Sequence, residues 1–184
     1  AVYFRTLAQE APSASEATFI RGAQVYSNKV QRAQDLNEKK ALLDLLMMIY
    51  DLRVQYFPSS PNYGTAYVLD RKAREYLTFN PSDREGVRKL YKEAIEAGLQ
   101  SGYAALPDVA LVYFSNLCDD YKMGEVYPDA VLDEYARLAP IFESDAPGVK
   151  EAKTQFDTCF AGSGAADCEN LEKMFRPRIE AAPE

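Results

Sequence analysis

Apolar residues fall three and four positions apart through most of this chain, the spacing of one face of an α-helix. Phe19, Gly22, Ala23, Tyr26 and Val30 form one such stripe. It predicts a first helix from about Ser15 to Ala33, with Ser13 and Glu16 spaced as a capping box. A second helix is predicted from Asp35, again with a glutamate, Glu38, three positions on. It carries Leu42, Leu43, Leu45, Leu46, Met47, Ile49, Tyr50, Val54 and Phe57. Being apolar around most of its circumference, it is expected to lie between neighbours. Pro58 and the Ser-Ser-Pro that follows stop it, because proline lacks the backbone donor.

The pattern continues to the C-terminus. A third helix is predicted over Thr65 to Leu77, although Gly64 to Leu69 also reads as a short strand. Asn80-Pro81-Ser82 is a turn, with Ser82 and Glu85 as the capping box of a fourth helix that runs to about Gln100. Gly98 and Gly102 mark its exit. Helix five opens at Leu106-Pro107-Asp108, proline being tolerated in a first turn, and carries Val109, Val112, Tyr113, Leu117 and Tyr121. Lys122-Met123-Gly124 is a turn. Helix six runs from Pro128 to about Ile141 and helix seven from Pro147 to about Phe160. Gly162-Ser163-Gly164 turns the chain into an eighth helix capped by Asp167 and broken or kinked at Pro177. Residues 1–14 are expected to be irregular.

One phrase recurs at intervals of roughly 40 residues, the range of stacked helical repeats. An aromatic opens each copy, at Tyr50, Tyr91, Tyr135 and Phe175, and the first and last copies stop at Pro58 and Pro183. The expectation is an all-α chain of about eight antiparallel helices in four hairpins, forming a single domain over 1–184. Short loops leave no linker between domains.

Composition then narrows the function. Hydrophobic residues make up 47% of the chain, enough for a core. A net charge of −7 and the absence of a basic face argue against nucleic acid as a partner. With no histidine, His-based zinc sites and Ser-His-Asp triads are excluded. No apolar run approaches the ~20 residues of a membrane span. There is no P-loop and no glycine fingerprint after a strand. Asp119-Asp120 is not followed by the alternating oxygen ligands of a calcium loop. No metal and no cofactor is therefore expected. The sequence begins at Ala1 without an initiator methionine, which fits a processed start after a signal peptide and fits a trimmed one equally.

Three phrases, Met48 to Phe57, Tyr67 to Lys72 and Ser163 to Cys168, together with Phe19 to Ala23, resemble a divergent branch of the tetratricopeptide-repeat (TPR) proteins found in Gram-negative cell envelopes. The Trp, Leu-Gly and Tyr signature of the standard repeat is missing, and Tyr127 stands where a Ser or Thr cap is usual. The resemblance implies a TPR-like right-handed superhelix, a periplasmic or envelope location and no catalytic residues. The expected role is a non-enzymatic scaffold that binds a protein or peptide through a concave helical groove. The alternative is a structural subunit of an envelope assembly, bound through its outer face or helix ends. An enzyme working through carboxylates alone is a third reading, but no pair stands out among the 28 acids.

In such a superhelix the first helix of each hairpin lines the groove. Tyr67, Arg71 and Arg74 on helix three, and Tyr113, Asn116 and Asp120 on helix five, are therefore candidate partner-binding residues. Their guanidinium, amide and phenol groups suit peptide and carboxylate capture. An ordinary solvated face is the competing reading. Asp51 and Arg53, two positions apart on the most apolar helix, cannot face each other and are expected to serve different neighbours. Cys159 and Cys168 flank the tight Gly162–Gly164 turn, where a hairpin can bring two cysteines to disulfide range in an oxidising compartment. They can equally be two reduced thiols.

Overall fold

The computed structural model describes residues 15–59, 63–144, 148–172 and 176. Those residues form seven α-helices and one 3-10 helix up to Ser163, followed by further helical residues at 168–172, and no strand is present among them. Residues 1–14, Ser13 of the first capping box, Pro147 and the Pro177 break lie outside the described residues. The chain divides into two compact units, residues 1–103 and 104–184.

The first unit contains α1 (Glu16–Arg32), α2 (Leu36–Tyr56), α3 (Thr65–Phe79) and α4 (Arg84–Ser101). Consecutive helices pack on each other, and α1 also touches α3. Phe19, Ala23, Tyr26 and Val30 of α1, Leu43, Leu46, Ile49 and Tyr50 of α2, and Val68 of α3 form one buried cluster. The apolar girth of α2 is thus accounted for: α1 covers one side and α3 the other. The 64–69 segment is helical, not a strand, because α3 starts at Thr65.

Helix starts are local events, and at α2 and α4 a capping side chain shows it. Asp35 accepts from the Glu38 N–H at 2.8 Å and caps α2 as expected. At α4 the cap is Asp83, one residue beyond Ser82; its carboxylate accepts from the Gly86 N–H at 3.0 Å and also from the Tyr76 hydroxyl. A carboxylate outcompetes the neighbouring hydroxyl at the positive end of a helix. Gly102 closes α4 with φ +65°, the left-handed conformation that glycine adopts without cost.

The second unit contains α5 (Leu106–Lys122), α6 (Pro128–Leu138), a 3-10 helix (Ala139–Phe142) and α7 (Val149–Ser163). A further helical turn occupies residues 168–172, its start capped by Asp167, which accepts from the Asn170 N–H at 2.7 Å. Helix α6 ends three residues before Ile141 because Pro140 cannot donate into the ladder, and the chain tightens into the 3-10 turn. Helix α5 packs against both α6 and α7. Their interface is aromatic: Phe114 lies 4.5 Å from Phe156 and 5.9 Å from Tyr135, centroid to centroid, and Tyr135 stacks on Phe160 at 3.9 Å. None of the described helices is long and apolar enough to cross a membrane.

Candidate functional site

The strongest concentration of interacting polar groups in the first unit follows α3. Positions 67, 70, 71, 74 and 75 are spaced by three and four, so they share one side of that helix. Tyr67 packs on Tyr63 at 4.8 Å, centroid to centroid, and the Arg53 guanidinium lies 5.6 Å from the Tyr63 ring. Arg74 Nε binds Asp70 Oδ1 at 2.5 Å, and the Tyr103 hydroxyl donates to Asp70 Oδ2 at 3.2 Å. Asp70 is buried, so Arg74 and Tyr103 are what make its charge tolerable there. Burial, reinforced by the Asp70 charge, pushes the Tyr103 hydroxyl up to about 12.

One turn further, Arg71 meets Glu75 at 3.5 Å, a loose contact. The Arg71 side chain is 48% exposed and that of Glu75 is 15% exposed. Tyr50 of α2 and Ser27 of α1 bring hydroxyls to the Glu75 carboxyl, so three helices converge on it. Its Oε2 nevertheless closes no hydrogen bond of good geometry. Burial holds the Glu75 carboxyl above the usual carboxylate range, against the opposing pull of Tyr50, Arg71 and Ser27. The same burial, with Glu75 beside it, raises Tyr50. The half-exposed Arg71 guanidinium thus rests on a partly desolvated carboxyl through one long contact, with part of its donor set turned to solvent.

The other half of the predicted stripe lies elsewhere. Tyr113 and Asp120 of α5 are each 1% exposed, and Asn116 turns back to donate to the Val112 carbonyl at 2.8 Å. Tyr113 and Asp120 share the helical spacing of a groove but belong to the interior, so they offer no surface to a peptide, whereas Asn116 is half-buried with its amide committed to its own helix. Polar identity suggested exposure; the packing around α5 decided otherwise. Arg74 is likewise committed to Asp70, which leaves Arg71 as the exposed member of the six, with Tyr67 half-buried beside it.

Asp51 and Arg53 do serve different neighbours. Arg53 is buried and reaches back to Glu16 of α1 through Nε at 3.0 Å and Nη2 at 2.9 Å. Asp51 reaches forward to the buried Lys72 of α3 at 2.5 Å. The two ion pairs tie α2 to α1 on one side and to α3 on the other.

All three cysteines are free thiols, and no bridge joins Cys159 to Cys168. Cys168 is exposed at the head of the 168–172 turn, whereas Cys159, partly buried on α7, interacts with Cys118 of α5. The sequence carried a faint signal for this pairing: Cys118 continues the buried stripe of Phe114, and Cys159 sits beside Phe160. Which helix faces which was not readable from it. The second unit also has an open cavity of about 300 Å³ between the N-terminal halves of α5 and α7, lined by residues including Pro107, Asp108, Leu111, Glu151 and Gln155. Among the described residues no cluster of acids and cysteines is placed to hold a metal ion.

No family model, curated protein or solved structure matches this chain.

Proposed function

We propose that this chain is a non-enzymatic, TPR-like scaffold that binds an extended peptide segment of a partner protein along α3. One observation carries the reading. The first helices of consecutive hairpins, α1 and α3, touch each other, and the exposed Arg71 and the half-buried Tyr67 lie on the α3 side whose next turn reaches Ser27 of α1. In that arrangement Arg71 exchanges Glu75 for a ligand carboxylate or backbone carbonyl, and the Tyr63–Tyr67 pair supplies an apolar platform with hydroxyl tips. The envelope location belongs to the same proposal and is checked by fractionating cells that express the natural full-length protein.

The test is selection of a displayed random-peptide library on the full chain. The expected result is a consensus with an acidic or C-terminal carboxylate, lost with Arg71→Ala while the circular dichroism spectrum stays unchanged. An identical consensus on the Arg71→Ala chain refutes this surface.

A structural subunit of an assembly is the second reading, favoured by two exposed apolar side chains at helix starts. Leu36 opens α2 at 81% exposure and Tyr127 precedes α6 at 84%. A concentration-dependent oligomer in solution that dissociates with Leu36→Ser and Tyr127→Ser supports this reading. A monomer at all concentrations removes it.

A further inference from the structure

Cys118 and Cys159 lie on packed helices whose direction the rings report. Phe114 of α5 meets Phe156 of α7 at 4.5 Å, centroid to centroid. The two thiols meet one turn further along both helices, four positions on in α5 and three in α7. The helices advance in the same direction here: their N-terminal halves line one cavity, and Phe114 touches both Phe156 and Phe160, which places Cys118 and Cys159 on facing sides. Cys118 has no exposed surface, while Cys159 is partly exposed. Of these two, only Cys159 can meet a reagent from solution.

We propose that Cys118 and Cys159 form a reversible dithiol site oxidised by low-molecular-weight disulfides, with Cys159 attacking and Cys118 resolving. In the first step the Cys159 thiolate attacks one sulfur of the reagent disulfide; its S–S bond breaks, one thiolate leaves, and a mixed disulfide forms on Cys159. In the second, Cys118 gives up its proton and attacks the Cys159 sulfur, releasing the other reagent thiolate. Two protein thiols are oxidised to one disulfide, and one reagent disulfide is reduced to two thiols. The product is a covalent tie between α5 and α7 within the second unit.

The surroundings divide the roles. The Cys118 thiol, the Ser115 hydroxyl and the Lys122 charge stabilise a Cys159 thiolate against burial and the Asp119 charge, and bring that thiol down to about 7. The hydrogen bond that Cys118 gives, together with its burial, pushes its own ionisation up. A thiol that ionises near neutral pH is close to the optimum for attack on a disulfide. The inference does not depend on the peptide-binding reading.

The experiment treats the reduced full chain with glutathione disulfide and maps its peptides by mass spectrometry without reduction. The expected product is a Cys118–Cys159 cross-link, lighter by two hydrogens and reversed by a reducing thiol, which also forms in Cys168→Ser. In Cys118→Ala the reaction stops at a Cys159–glutathione mixed disulfide, and the pH midpoint of Cys159 alkylation rises from about 7 toward the ordinary thiol range. A Cys159–Cys168 cross-link overturns the proposal. So does a mixed disulfide that persists on Cys159 of the native chain, or no reaction at either cysteine. If Cys118→Ala fails to fold, the native chain and Cys168→Ser still decide.

Discussion

Replacing Gly86 by alanine should destabilise this protein, although the same change in most helices does the reverse. Gly86 is the third residue of α4, where alanine is favoured over glycine by up to about 1 kcal/mol. A Cβ added there would lie 2.8 Å from Asp83 Cγ and 3.1 Å from Tyr76 Cε1. The Asp83 side chain is too short to swing aside and keep both bonds, so the cap must release. Loss of an N-cap costs about 1 kcal/mol, and loss of the Tyr76 hydroxyl's bond to a charged carboxylate costs about 1.5–3 kcal/mol. Set against the propensity gain, the net is a loss of about 2 kcal/mol. Urea denaturation of the full chain, followed by far-UV circular dichroism, measures it. The sign should reverse in an Asp83→Ala background, where the contacts with the carboxylate are gone, only the Tyr76 ring edge at 3.1 Å remains to give way, and the propensity gain of up to about 1 kcal/mol is what is left. The Tyr76 bond holds the Asp83 carboxyl below the usual carboxylate range, with the Gly86 N–H adding to it. The folded value is depressed, so the Asp83 contribution is complete above the ordinary carboxylate range and is lost as pH falls through the folded value. The penalty of Gly86→Ala should therefore shrink in acid. A stabilising Gly86→Ala in the native background, or the same sign in both backgrounds, refutes the cap geometry.

Other changes test other contacts. Phe114→Ala removes the fully buried ring that touches Tyr135, Phe156 and Phe160, and should cost about 3–5 kcal/mol in urea denaturation. Glu16→Ala strips the buried Arg53 of the partner that binds it through two nitrogens, and should cost about 1.5–3 kcal/mol. Glu16→Leu with Arg53→Met should recover part of that loss, and a double variant less stable than Glu16→Ala counts against the ion pair. Burial, with the bond to Asp157, raises the Tyr135 hydroxyl to about 12. Its stabilising effect is complete below the ordinary tyrosine value of about 10 and is lost as pH rises from there through the folded value. Tyr135→Phe should therefore flatten the alkaline fall in thermal stability over that window, and an unchanged fall sinks the assignment.

The recurring aromatics are legible in retrospect as one structural position. Tyr50, Tyr91 and Tyr135 lie on α2, α4 and α6, each the second helix of its pair, while Phe175 lies outside the described residues. Tyr50 and Tyr91 are core residues, so the repeat marks packing and carries no chemistry of its own. The candidate site was half legible. Tyr67, Arg71 and Arg74 share a helix side, as their spacing required, but Glu75, Tyr50 and Ser27, which give Arg71 its setting, come from three helices and no local pattern joins them.

By itself, the sequence determined the helices, most of their ends and the all-α class. Those features depend on hydrogen bonds four residues apart, on caps such as Asp35 and Asp167, and on breakers such as Pro58 and Pro140, all of which act within a turn or two. Tertiary structure alone decided that Tyr113 and Asp120 are interior and Arg71 is not, that Arg53 reaches Glu16, and that Cys159 meets Cys118 and not the nearer Cys168. Helical spacing states which residues share a face. What that face meets depends on which helices pack together, and that is settled by burial summed over the whole unit.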